Sequence, residues 1–239
     1  MGVYSNTEIK QAITDGIIVA VPYNENYVSE ASLDFTLGHY YYKQEFEQDA
    51  RVYNPFDKDD VARYFKGPLE AIPHQEWCEK NDHSLFDNIP ADHPIIVLRP
   101  GERILAHTHE FIGIRAKGGA CEVKSRSSWG RNGVAICFDA GWIDPGYINR
   151  ITLEIYNLNQ HESVILPVGE RVGQLIFHHT GPVEGDYSDG RNGISGKYQH
   201  TSDLDELIRT WSPTQMLPRS YKDARKTAEV IAGLPDGIK

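Results

Sequence analysis

Apolar residues follow two periods along this 239-residue chain. Near the start Ile9, Ala12 and Ile13 recur three and four positions apart, which is one face of a helix. Ser5-Asn6-Thr7-Glu8 precedes them with the Ser-x-x-Glu form of a capping box, and Asp15-Gly16 ends the run, so a short N-terminal helix is predicted. Beyond it the apolar runs shorten and become rich in β-branched and aromatic residues. Strands are predicted at 17–21, 32–37, 95–98, 104–106, 134–138, 151–156, 163–166 and 173–177. Gly, Pro, Asn and Asp clusters separate them; Arg99-Pro100-Gly101-Glu102 is one such turn. Many short strands without alternating helices predict a mainly β barrel or sandwich and argue against a parallel α/β sheet. Residues 53–92 break the pattern with charge and scattered aromatics and read as an excursion with one short helix at 59–65. After Gln199 the helical period returns at Leu204, Leu207, Ile208 and Trp211 until Pro213, and a second tail helix is predicted at 222–232.

Charge narrows the function classes. Lys and Arg number 24 against 34 Asp and Glu, a net charge of −10. Such a chain lacks the basic footprint of a duplex-binding protein, so nucleic acid is not an expected partner. A small anion remains compatible, because a local cluster of cations can hold it against the overall field. No run of 18 apolar residues offers a membrane span, and the first residues lack the basic and apolar stretches of a secretory leader. Cys78, Cys121 and Cys137 are odd in number and lack C-x-x-C spacing, which fits reduced thiols in a cytoplasmic protein.

Three stretches carry candidate chemistry. In Lys124-Ser125-Arg126-Ser127-Ser128-Trp129-Gly130-Arg131, cations, hydroxyls and a glycine interleave. A triphosphate calls for that set, with forked guanidinium donors, hydroxyl donors and close backbone approach; the plain alternative is a solvated basic loop. In the second stretch Asp144 lies at an Asp-Pro-Gly turn and Glu154 sits inside an apolar strand, sharing a face with Thr152 and opposed to Leu153. A desolvated carboxylate there suits proton transfer near neutral pH. The plain alternatives are a salt bridge from Glu154 to Arg131 or Arg150 and an Asx turn at Asp144. The third is Gly196-Lys197-Tyr198-Gln199, preceded by Tyr187, a loop that can close over a ligand or simply run along the surface.

Taken in order, Arg-Ser-Ser-x-Gly-Arg, Ala-Gly-Trp-Ile-Asp-Pro-Gly, Ile-Thr-Leu-Glu, Gly-Gln-Leu-Ile-Phe and Lys-Tyr-Gln resemble the dCTP deaminase family of the dUTPase-like superfamily. The resemblance is dense over 122–199 and looser over 9–16, 31–38 and 98–102. It implies a distorted β-barrel domain over 1–199, with 43–92 as an insertion, 200–239 as a helical extension, and a homotrimer with sites between subunits. It also implies that Arg126, Ser127, Ser128 and Arg131 cradle the triphosphate, whose oxygens carry Mg²⁺. Asp144 would sit at the deoxyribose. Glu154 would be the acid/base for water attack on C4 of cytosine, helped by Ser127 and Arg131. Gly130, Ala140, Thr152, Leu153, Gln174, Tyr187, Lys197 and Gln199 would complete the nucleotide contacts, although a Gln the family carries slightly beyond Lys-Tyr is replaced here by Thr201.

Gly141-Trp142 resembles the bifunctional members that carry dCTP through to dUMP; purely deaminating members commonly have His-Arg there. The implied partners are dCTP and dUTP, and feedback by dTTP is left open. Zinc is not expected, because His74-Gln75-Glu76 has no later P-C-x-x-C and His107, His109, His178 and His179 lack further ligands. A dUTP pyrophosphatase is the alternative, but it would not need an acid at 154. A non-catalytic nucleotide-binding barrel would be expected to have lost Glu154 or Arg131.

Overall fold

A computed structural model describes residues 2–44, 52–189, 196–222 and 233. In chain order the elements begin with α1 (Asn6–Thr14), β1 (Ile18–Val21), β2 (Val28–Ser29), β3 (Ser32–Thr36) and β4 (Tyr40–Gln44). Then come α2 (Lys58–Tyr64), β5 (Phe65–Glu70), β6 (Ile72–Pro73), α3 (His74–Lys80), β7 (Pro94–Leu98), β8 (Arg103–His107) and β9 (Phe111–Ile114). The second half holds β10 (Ala120–Ser125), α4 (Ser127–Arg131), β11 (Val134–Ala135), β12 (Trp142–Ile143), β13 (Ile148–Asn149) and β14 (Thr152–Asn157). β15 (Val164–Pro167), β16 (Arg171–His178) and α5 (Leu204–Thr210) follow.

The strands form antiparallel pairs in four sheets, ordered β1-β9-β13, β12-β10-β16-β3-β2, β11-β14-β8-β4-β5 and β15-β7-β6. The fold is mainly β, and among the described residues no sheet closes into a ring. Phe35, Leu33, Leu175 and Phe177 from one five-stranded sheet meet Ile104, Ala106, Leu153 and Ile155 from the other in the main core. The capping box at α1 forms: the Ser5 amide donates to Glu8 Oε2 at 2.8 Å and the Glu8 amide to Ser5 Oγ at 3.4 Å.

Residues 53–92 are more ordered than their composition predicts. The short helix is present as α2, but β5 then extends the β4 edge and β6 pairs with β7. The predicted strand at 134–138 is only Val134–Ala135, because the chain leaves the β14 edge there. In the tail, α5 buries Leu207 against Val19, Phe111 and Ile148. Trp211 follows with its ring 4.6 Å from the Arg150 guanidinium and 4.7 Å from the His107 ring. Further on, Met216 packs with Tyr42, Val61, Phe65 and Leu105, so the excursion and the tail share one apolar cluster. The predicted helix at 222–232 lies, apart from Lys222, outside the described residues. Among the described residues no helix is long and apolar enough to cross a membrane.

Candidate active site

β14 alternates strictly: Leu153, Ile155 and Asn157 are buried while Thr152, Glu154 and Tyr156 stand half-buried on the other face. That face forms part of the wall of a cavity of about 450 Å³. Glu154 and Thr152 share the cavity with Ala140, Trp142, Asp144, Tyr187, Tyr198 and Arg103. Its apolar side comes from Phe65 and Leu105, and from Met216 and Pro218 of the tail.

Burial pushes the Glu154 carboxyl above the ordinary carboxylate range, because a charge there loses hydration. The Cys137 thiol pulls the other way by donating to Oε2 at 3.6 Å, and the Arg103 guanidinium adds a smaller pull. Among the described residues Glu154 forms no ion pair, so neither Arg131 nor Arg150 neutralises it within the chain. The Arg150 guanidinium is stacked instead over Phe111 and Trp211.

Asp144 is exposed at the cavity rim and accepts from Trp142 Nε1 at 3.2 Å. Gly146, with φ of +93°, makes the turn that follows, in a conformation that side chains rarely adopt. Gly141 has a different reason: a Cβ there would stand 2.8 Å from the Val123 carbonyl oxygen.

The cationic residues gather elsewhere. Arg126 immediately precedes α4, whose exposed Ser127, Ser128, Gly130 and Arg131 follow on one short turn. Trp129 pins that turn by donating Nε1 to the Arg171 carbonyl at 3.0 Å. Arg126 and Arg171 both lie 3.3 Å from Asp34 Oδ2, and Gln174 accepts weakly from Ser32 Oγ at 3.4 Å on the same sheet. None of Arg126, Ser127, Ser128, Gly130, Arg131, Gln174 or Lys197 lines the cavity that holds Glu154. The basic segment is therefore a short helix where a loop was the plain alternative, and within one chain the two clusters stay apart.

Two further expectations meet the geometry differently. Tyr187 lines the cavity and packs edge-on to Tyr147 at 5.0 Å. Gln199 is buried, and both ends of its amide are used internally: Oε1 accepts from the Ile148 amide at 2.7 Å and Nε2 donates to the Gly146 carbonyl at 3.0 Å. The side chain thus clamps the turn after Asp144, with one of its two amide hydrogens engaged at the Gly146 carbonyl. Lys197 sits beside it, with its carbonyl accepting from Arg219 at 2.6 Å. Leu153 faces the core, so any contact it makes with a nucleotide is through its backbone.

Sequence reasoning missed Arg103, Phe65, Met216 and Pro218 as cavity residues. The only signal available for Arg103 was period-2 alternation on a strand paired with β14, which required knowing the pairing. The histidines are structural where they are buried. His107 is held neutral, its pKa lowered to about 4 by burial, and it accepts from the Tyr40 amide at 3.1 Å. Among the described residues no three His, Cys, Asp or Glu side chains stand together as a metal-binding group.

Fold and site together define a mainly β protein with a cleft of small-molecule size and a desolvated acid in its wall. The model of the family described as dCTP deaminase-like matches residues 3–180, and the chain belongs to that family. A relative from Methanopyrus kandleri named dCTP deaminase, dUMP-forming, is 34% identical over 203 residues, covering 83% of this chain and 91% of its own. One of the same name from Nanoarchaeum equitans is 32% identical, over 81% of this chain and 90% of its own. A solved structure of 2'-deoxycytidine 5'-triphosphate deaminase from Agrobacterium tumefaciens aligns at a TM-score of 0.49 and 17% identity, over 74% of this chain. This chain spans 47% of that solved chain.

Proposed function

We propose that this protein hydrolyses dCTP to dUMP, ammonia and pyrophosphate, consuming two waters. The observation that carries the reading is Glu154, a carboxylate desolvated in the wall of a nucleotide-sized cavity and without an ion pair among the described residues. Family membership and two relatives named for that conversion support it. A water oxygen bonds to C4 of the cytosine while Glu154 takes one of its protons. The carboxyl then passes that proton to the amino nitrogen, the bond from C4 to that nitrogen breaks and ammonia leaves, and the second water proton ends on N3 of the uracil. Raised by burial, Glu154 lies nearer the operating pH than an exposed carboxylate, which suits it to both halves of this shuttle.

The second water attacks the α-phosphorus and pyrophosphate leaves. Asp144, oriented by the Trp142 indole at the rim, positions this water and contacts the deoxyribose. The triphosphate is gripped by Arg126, Ser127, Ser128 and Arg131, with Gln174, Tyr187 and Lys197 contributing.

The assembly is a homotrimer of dUTPase-like barrels in which α4 of one subunit completes the cavity of the next. The separation of the two clusters within one chain supports that arrangement. Residues 1–199 form the catalytic domain, and the tail from 200 completes its cavity wall. Among the described residues no His, Cys, Asp or Glu group gathers to hold a metal, so Mg²⁺ would be carried by the triphosphate itself and would offset phosphate charge there.

Glu154→Gln tests the reading. It keeps shape and removes the base, so ammonia release from dCTP should fall about 10²–10⁴-fold while dCTP still binds. Turnover within tenfold of the parent protein would overturn the role of Glu154.

A further inference from the structure

Cys137 is a nucleophilic group that the mechanism above leaves without a task, yet it is the closest hydrogen-bonding neighbour of the acid/base. The chain leaves β11 at Ala135 and bends so that the thiol comes within 3.6 Å of Glu154 Oε2. The thiol is the donor in this contact, so its proton is directed toward the carboxylate.

We propose that Cys137 is a positioning residue for Glu154: its thiol fixes Oε2 and leaves Oε1 as the oxygen that takes the proton from the attacking water. This rests on the reading of Glu154 as acid/base given above. No electron transfer or covalent step at sulfur is involved. The thiol stays protonated throughout, since burial and the neighbouring carboxylate push it up to about 12, with Asp139 adding to the effect. Its hydrogen bond favours the ionised carboxylate and so offsets part of the burial that disfavours it. Among the described residues, the other charged or titratable groups lining the cavity with Glu154 are Arg103 from β8, Asp144 at the rim, and Tyr147, Tyr187 and Tyr198. Of these, Arg103 is the one that also favours the ionised form.

Two variants separate donation from packing. Cys137→Val fills the space with an apolar side chain and removes the donor; Cys137→Ser keeps a donor and strengthens it. The measurement is ammonia release from dCTP with Mg²⁺, as kcat and KM across pH, on purified full-length protein, with thermal melting as the fold control. Cys137→Val should lower kcat about fivefold with KM nearly unchanged, the worth of one lost hydrogen bond. Its acid limb should move to higher pH, because losing a donor to the carboxylate raises the carboxyl pKa. Cys137→Ser should recover most of kcat and move the acid limb the other way.

If Cys137→Val has the parent kcat and the parent acid limb, the proposal is overturned. The same holds if both variants lose activity equally without opposite pH shifts, since that is the signature of packing alone. Glu154→Gln run alongside keeps the two ideas distinct. An inactive Glu154→Gln with an unaffected Cys137→Val removes only the positioning role, whereas an active Glu154→Gln removes the reading beneath it.

Discussion

The proposed sharing of the site between subunits has a numerical consequence. The cavity contains Asp144, Thr152 and Glu154 but not Arg126, Ser127, Ser128 or Arg131. A working site then needs Glu154 from one chain and Arg131 from its neighbour. Arg131→Ala and Glu154→Gln should each be nearly inactive alone. Co-expressed with different tags and purified through both, they give only mixed trimers, with two subunits of one kind and one of the other. Going round such a ring, one interface in three places an intact Glu154 cavity beside an intact Arg131 helix, whichever variant is in excess. The mixed protein should therefore recover about one-third of wild-type kcat, with wild-type KM at the restored sites. A shared-site dimer would recover about one-half by the same count. Ammonia release from saturating dCTP reads the fraction, and sedimentation reads the subunit number. Activity no greater than that of the separate variants would refute sharing and place Arg131 and Glu154 in one chain's site.

Three further outcomes are expected. Trp142→Phe keeps the ring and removes the donor to Asp144, so phosphate cleavage should fall about five- to tenfold more than deamination; chromatography should then find dUTP accumulating, and an unchanged product ratio would contradict the role. Glu154 is raised in the folded state by burial, so its cost to stability is absent where both states are protonated. That cost grows as pH climbs through the unfolded carboxylate range and is complete above the folded pKa. Glu154→Gln should accordingly melt a few degrees higher near neutral pH, with the gap closing toward about pH 3, and a gap independent of pH would be the wrong result. Trp211→Ala removes a ring held against Arg150 and His107 and should cost about 2–3 kcal/mol, roughly 5–10 °C in Tm. It should also raise KM, because Met216 and Pro218 of the same tail line the cavity; an unchanged melt would mean that the tail is not docked there.

What could be read from the chain was what local chemistry writes locally. Ser5 and Glu8 announced α1, because capping uses residues three apart. The alternation Thr152, Leu153, Glu154, Ile155 announced both the strand and which face the acid would take. Phe65 was hidden because residues 53–92 carry no clean period, although β5 and β6 are held there by partners far along the chain. Gln199 follows Lys197 and Tyr198 in sequence, but its partners, the Ile148 amide and the Gly146 carbonyl, are set by tertiary placement. Arg131 and Glu154 read as one site in sequence because both belong to one motif order, and a single chain holds them in separate clusters.

The most direct measurement is a product analysis of the unmodified protein. Purified protein is incubated with dCTP and Mg²⁺, the nucleotides are resolved by chromatography, and ammonia and pyrophosphate are assayed in the same samples. Ammonia, dUMP and pyrophosphate should appear in equal amounts without accumulation of dUTP. Ammonia with accumulating dUTP would contradict the second hydrolysis, and dCTP left intact without ammonia would contradict deamination itself.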